Sequence, residues 1–148
     1  MSQLIAPEAQ EILAEARYAQ VATISPRAAP NVAPFWFYFD GERLILFTGE
    51  NKTVANLREN GRVSVIVDVG DRFDEIKGVQ ISGAATVHPY DDAPKAVLRA
   101  VEQLQQKYAD DLASDLYREF QGDGPPATVY VEVTPKIVRW WDFGNRIT

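Results

Sequence analysis

The chain has 148 residues, 46% of them hydrophobic, with a formal net charge of −6, no cysteine and His88 as its only histidine. That length suits one domain over residues 1–148, while the missing cysteines exclude disulfides, thiolate metal sites and thiol nucleophiles, so no metal site is expected. An acidic chain without a basic run is a poor partner for nucleic acid. With no apolar run of roughly 18 residues and no signal-peptide pattern, no membrane association and a cytoplasmic location are expected.

In chain order, Pro7–Arg17 reads as a helix with Ala9, Ile12, Leu13 and Ala16 on one stripe. Tyr18–Ser25 and Asn31–Phe39 read as strands separated by Pro26 and Pro30. Asp40-Gly41 signals a hairpin into Arg43–Thr48. A short helix over Lys52–Asn60 follows, with Val54 and Leu57 facing inward and Gly61 ending it. Arg62–Val69 and Gly78–Val87 alternate as strands, joined by a charged loop. Gly83 suggests a bulge or a close backbone approach. Asp91 or Asp92 can cap a longer helix carrying Val97, Val101, Leu104 and Tyr108 on one face. Asp110–Phe120 reads as a second helical piece and Gly122–Pro126 as a breaker loop. Ala127–Thr134 is a strand, Pro135 a corner, and Lys136–Asp142 a closing strand. The sum is a mainly β protein with peripheral helices, an antiparallel sheet of six or seven strands curled into a barrel.

Three segments stand out. Phe35-Trp36-Phe37-Tyr38-Phe39 has no polar alternation, so one face can fill the barrel. The other must meet a helix, a partner subunit or a cofactor ring. In Trp140-Trp141 at most one ring can be core, and the other is available for a partner or a flat ligand. Thr48-Gly49-Glu50-Asn51-Lys52-Thr53 leads into a helix whose free N–H groups, with a hydroxyl and a lysine, suit a phosphate; equally, Asn51 or Thr53 can simply cap it. Arg58 and Arg62 flank this helix; each either adds positive charge there or sits in an ordinary surface pair. His88 before Pro89 is expected to be a surface side chain. No general acid is evident, so a reaction here would rest on an organic cofactor.

In order, Gln20-Val21-Ala22-Thr23-Ile24, Pro30–Phe37, Leu46-Phe47-Thr48, Asn56-Leu57-Arg58 with Arg62-Val63-Ser64, and Gly78–Ala85 resemble the pyridoxamine 5′-phosphate oxidase-like split β-barrel family. That family includes flavin- and deazaflavin-dependent oxidoreductases. The resemblance covers nearly the whole chain, through Trp141-Asp142. It implies a homodimer with two cofactor sites along the subunit seam, binding FMN or coenzyme F420, with heme in some relatives. It also implies hydride transfer to a small unsaturated substrate; the alternative is a flavin- or heme-binding module without turnover, which the thin supply of acid–base residues allows. By the same resemblance Pro34 and Trp36 lie along the ring, and Thr48, Lys52 and Thr53 approach the phosphate. Asn56 fixes the helix start, Gln80 lines the pocket, and Trp141 covers its edge or comes from the partner chain. The family's phosphate-binding lysine falls at Thr53, with Lys52 one residue earlier, and Arg146-Ile147 is a poor copy of the Arg-Leu substrate motif of the true oxidases. The net acidity leans towards FMN over the anionic F420.

Overall fold

Alternating valines on three strands decide which way the sheet faces: Val63, Val65 and Val67, then Val79 and Ile81, then Val129, Val131 and Val133 are all buried. The computed structural model describes residues 5–122 and 127–148. Seven strands, β1 (Ala19–Ile24), β2 (Pro30–Phe35), β3 (Tyr38–Phe39), β4 (Leu44–Thr48), β5 (Arg62–Val69), β6 (Lys77–Pro89) and β7 (Val129–Asp142), form one antiparallel sheet. Its order is β2-β1-β5-β6-β7-β4-β3. The edge strands β2 and β3 are consecutive in sequence. The sheet therefore curls until its two edges face each other, and the chain crosses between them at Trp36-Phe37. This is a split β-barrel.

The helices close the ends and flanks. Helix α1 (Pro7–Glu15) buries Ala9, Ile12 and Leu13 against the barrel core. Helix α2 (Lys52–Glu59) buries Thr53, Val54, Asn56 and Leu57. Helix α3 (Lys95–Lys107) lays Val97 and Ala100 on Ile45 and Tyr130, on the outside of the sheet. Two short helices follow, α4 (Ala109–Leu112) and α5 (Asp115–Gln121).

Several expectations need correction. The strand expected over Asn31–Phe39 breaks at Trp36-Phe37, because Phe37 turns fully into the core while Trp36 turns out under the helices. Neither Asp91 nor Asp92 caps α3. Residues Tyr90–Asp92 form a single 3₁₀ turn, and Pro94 sits at the cap. Pro94 holds Ala93 extended, which prevents a helix from running through from Asp91. Gly61 does not end α2 through a left-handed turn, since Asn60 already leaves in extended geometry. Gly61 instead lets β6 approach: Ala85 N–H donates to its carbonyl at 2.7 Å, and a Cβ there would lie 2.8 Å from the Ala85 oxygen. Pro135 makes no corner. Strand β7 runs through it, and the register shifts between Ser82 and Gly83, leaving Lys136 as the extra residue. This is the bulge that Gly83 foretold, and a side chain at Gly83 would collide with the Thr134 carbonyl. Of the breaker loop expected over Gly122–Pro126, residues 123–126 lie outside the described residues.

Tyr108 seals the crossing between the two edges. Its ring is fully buried, stacked on Trp36 at 4.5 Å and 10°. Its hydroxyl donates to the Arg17 carbonyl at 2.7 Å and accepts from Phe37 N–H at 3.4 Å. Tyr108→Phe removes the hydroxyl and leaves buried backbone groups unpaired. It is expected to cost about 1–3 kcal/mol in urea unfolding, with unchanged far-UV dichroism. A loss under a few tenths of a kcal/mol would show that this bond does not hold the seam.

Lys107 lies beside the same crossing, its Nζ 3.9 Å from the Phe37 ring centroid. Burial, aided by the Arg17 charge, pushes its amine down to about 8 from an ordinary 10.5. The ring face recovers only part of the cost of the cation. Between those two values the unfolded chain holds the proton that the folded chain has released. Stability contributed by this group therefore rises with pH across that window. Wild type should gain stability relative to Lys107→Met from pH 8 to pH 10, and a difference that stays flat would contradict the shift.

Candidate functional site

The strand registers assemble an outward face across five strands. Pro34, Gln20, Ile66, Gln80 and Arg139 lie opposite one another in one row. Val32, Ala22, Ser64, Ser82 and Ile137 form the next. These positions alternate with the buried valines, so their side chains leave the barrel. No described helix covers this face: Val32 and Ile137 are each 62% exposed, and Ile66 and Tyr18 are exposed too. A groove of about 490 Å³ crosses it, floored by Ala22, Ser64, Ser82 and Ile137 and flanked by Arg62 and Lys136. Gln80, in the adjoining row and outside the groove lining, donates through Nε2 to Ser64 Oγ at 3.3 Å, and the floor itself carries the Ser64 and Ser82 hydroxyls.

Trp141 belongs to the same face. It pairs with Gly78, and its indole lies flat where a side chain on Gly78 would be. Its neighbour Trp140 points the other way and packs on the core. The expectation that the two rings part company holds. Asp142, next in sequence, accepts from Asn145 N–H and Asn145 Nδ2, and these bonds hold its carboxyl below the usual range.

A second group gathers at the start of α2. Asn51 caps the helix, its Oδ1 accepting from Val54 N–H at 3.0 Å, while its Nδ2 donates to Thr48 Oγ1 at 3.0 Å. The capping role left open between Asn51 and Thr53 therefore belongs to Asn51. Thr53 is buried, and its hydroxyl accepts from Asn31 Nδ2 at 3.4 Å. Asn56 is buried and donates to Thr23 Oγ1 at 3.1 Å, tying α2 to β1. Lys52 is exposed and forms no ion pair among the described residues. Arg58 is neutralised by Glu50 through two bonds of 2.5 and 2.7 Å, so of the two flanking arginines only Arg62 faces the groove uncompensated. The pair holds the Glu50 carboxyl below its ordinary range.

The eight residues expected to meet a cofactor thus fall into three places. Pro34, Gln80 and Trp141 share the open face. Thr48, Lys52, Thr53 and Asn56 surround the start of α2. Trp36 stands apart, stacked on Tyr108 and, at 5.5 Å, on Tyr117. Of the coverings considered for its face of the aromatic run, the structure shows helical ones. Ser64, Ser82, Arg62, Lys136 and Arg139 were not foreseen as a group. Their signal was the polar phase of strands whose other phase is valine. His88 stacks on Tyr130 and its Nε2 lies 3.2 Å from Glu132, which also binds Arg43 at 2.5 Å. This cluster lies on the α3 side of the sheet. Among the described residues no group of three or more metal-binding side chains forms, and no helix is long and apolar enough to cross a membrane.

The family model for pyridoxamine 5′-phosphate oxidase matches residues 5–142. The chain belongs to this family. No curated protein matches it. Among solved structures it is similar to an FAD-binding protein from Mesorhizobium loti, at 20% identity and a TM-score of 0.69 over 95% of this chain and 92% of that one. It is similar to an F420 reductase, at 21% identity and 0.64 over 91% and 98%. It is also similar to the heme storage protein HutZ from Vibrio cholerae, at 15% identity and 0.68 over 91% and 93%. At these identities the likeness establishes the fold alone.

Proposed function

We propose that this protein is a homodimeric, flavin-type oxidoreductase whose cofactor, FMN in the first instance and F420 as the alternative, lies on the open sheet face at the subunit seam. The observation that carries the reading is that face: five strands wide, partly apolar, flanked by cations at its groove and left uncovered by the described helices in a chain of this family. A face with several exposed aliphatic side chains is costly in water, and a second copy of the chain is the covering the family resemblance implies.

The residues present fit such a cofactor. A tricyclic ring needs a flat apolar floor with a few amide and hydroxyl partners at its edge, which Ile66, Ala22 and Ile137 with Gln80, Ser64 and Ser82 supply. A phosphate needs fixed N–H groups and a cation. The α2 start, with one N–H committed to Asn51 and Lys52 unpaired, retains both. Bound flavin would supply the hydride chemistry, directed at a small unsaturated substrate. Trp141 and the partner surface would exclude water, and Gln80 would orient the ring edge. No described side chain is placed as a general acid, so solvent would supply the proton.

Purified protein should carry or take up a chromophore, with a band near 450 nm for FMN. A 420 nm band that fluoresces would mean F420, and one that does not would mean heme. Lys52→Ala should weaken FMN binding by about 1.5–3 kcal/mol, the loss of one charge-assisted bond. Sedimentation should show a dimer at micromolar concentration. Unchanged affinity in Lys52→Ala would move the phosphate elsewhere. A monomer without affinity for any of the three cofactors would sink the reading.

A further inference from the structure

On the other side of the sheet, away from the open face, a small pocket lies beneath α4 and α5. Its volume is about 80 Å³, and Trp36, Phe47, Tyr90 and Tyr117 supply much of its wall, with Leu104 and Leu112 between them. We propose that this pocket binds a single planar aromatic ring bearing one hydrogen-bonding substituent, and that the segment 109–121 is the strap that yields to admit it.

Three observations converge on this. The first is the lining, since four aromatic walls stack or edge-pack on a flat guest better than on a branched one. Phe47 and Tyr90 already meet edge to face at 6.2 Å, the arrangement a guest ring would join. The polar rim is sparse, with exposed Gln105 at the mouth, which favours one substituent over several.

The second is size. The space is about half the roughly 150 Å³ of a protein cavity that holds benzene. A ring therefore enters only if a wall moves. The walls on the sheet and α3 are fixed: Leu104 is buried, and Tyr90 N–H is bonded to the Thr128 carbonyl at 3.0 Å.

The third is the weak hold on the remaining wall. Neither α4 nor α5 buries a single residue. Leu116 is 77% and Phe120 87% exposed, so the two largest aliphatic and phenyl side chains of α5 pack on nothing in the fold. Tyr117 meets Trp36 at 5.5 Å and 20°, looser than the 4.5 Å and 10° of Tyr108. Another tie is the Arg17–Asp111 ion pair, whose side chains are 48% and 37% exposed, and exposed pairs contribute little. The stack on Trp36 thus has a firm member and a loose one, and the loose one borders the pocket.

The probe is 4-fluorophenol, followed by ¹⁹F NMR titration, with amide hydrogen exchange read on the same samples. Wild type should show saturable binding and slower exchange within 109–121. Gln105→Trp, on the exposed helix surface, fills the mouth without touching the core. It should weaken binding roughly tenfold or more with an unchanged melting temperature. Val101→Trp, one turn earlier on the same helix, fills the interior of the pocket and should also weaken binding. No saturation at millimolar probe, binding that survives both fillers, or protection confined to residues outside 109–121 would overturn the proposal. The inference does not rest on the cofactor reading. FMN affinity measured on the same variants should stay unchanged, and a variant set that loses FMN together with the ring would place the ring in the cofactor site and overturn it as well.

Discussion

A seven-stranded sheet that curls until its edges meet must do something with the gap between them. Here no backbone ladder closes it, since β2 and β3 are joined through the chain at Trp36-Phe37 and not by hydrogen bonds to each other. Side chains close it instead. Phe37 plugs the barrel side, and Trp36 with Tyr108 covers the outside. The Tyr108 hydroxyl satisfies groups from both flanking segments, the Arg17 carbonyl before β1 and the Phe37 N–H after β2. A buried backbone group without a partner costs more than an ordinary hydrogen bond returns. The hydroxyl therefore fixes where the chain crosses, and through that crossing the position of β2 and the row from Pro34 to Arg139 that crosses the open face.

The same closure divides the molecule's labour. Helices α3 to α5 lie over the seam and over the outside of β3, β4 and the start of β7, where the Ile45–Tyr130 cluster needs protection. Helices α1 and α2 pack on the barrel core itself. Nothing among the described elements remains for the outside of β1, β5 and β6, which is why that face combines aliphatic exposure with Gln80, Ser64 and Ser82. Helix α2 serves both tasks. Its buried side, through Asn56 on Thr23, is structural, while Lys52 at its start is exposed.

Much of this was legible from the chain. Period-two valines, the Asp40-Gly41 turn and Gly83 within a strand are local signals, and each kept its meaning in the folded protein. What failed were places where two local signals compete or where none exists. Asp91 and Asp92 are good caps, but Pro94 forces the residue before it extended and wins. Pro135 looks like a corner only until β6 supplies a bulge opposite it. Phe35 to Phe39 has no polar phase, so no periodicity could say that Trp36 would be covered by Tyr108, 72 positions away. The open face is a property of registers between strands distant in sequence. Single residues such as Pro34, Gln80 and Trp141 could be singled out, but not their common plane, nor the arginines and lysine beside them.

The charge of the face bears on which cofactor it suits. A net charge of −6 would seem to disfavour an anionic tail, and that is how the composition reads. But at physiological salt a charge is felt over about 8 Å, far less than the width of the molecule. Arg62 and Lys136 flank the groove, Arg139 stands in the adjoining row, and none of them forms an ion pair among the described residues. Much of the acidity lies elsewhere, as on α1 with Glu8, Glu11 and Glu15. At the groove a phosphate or carboxylate meets Arg62 and Lys136, while the acid on the same phase of β5, Asp68, lies towards the Trp141 end of the face. A choice between FMN and F420 on such a face would turn on the length of groove available to a tail, and not on the sign of the whole chain.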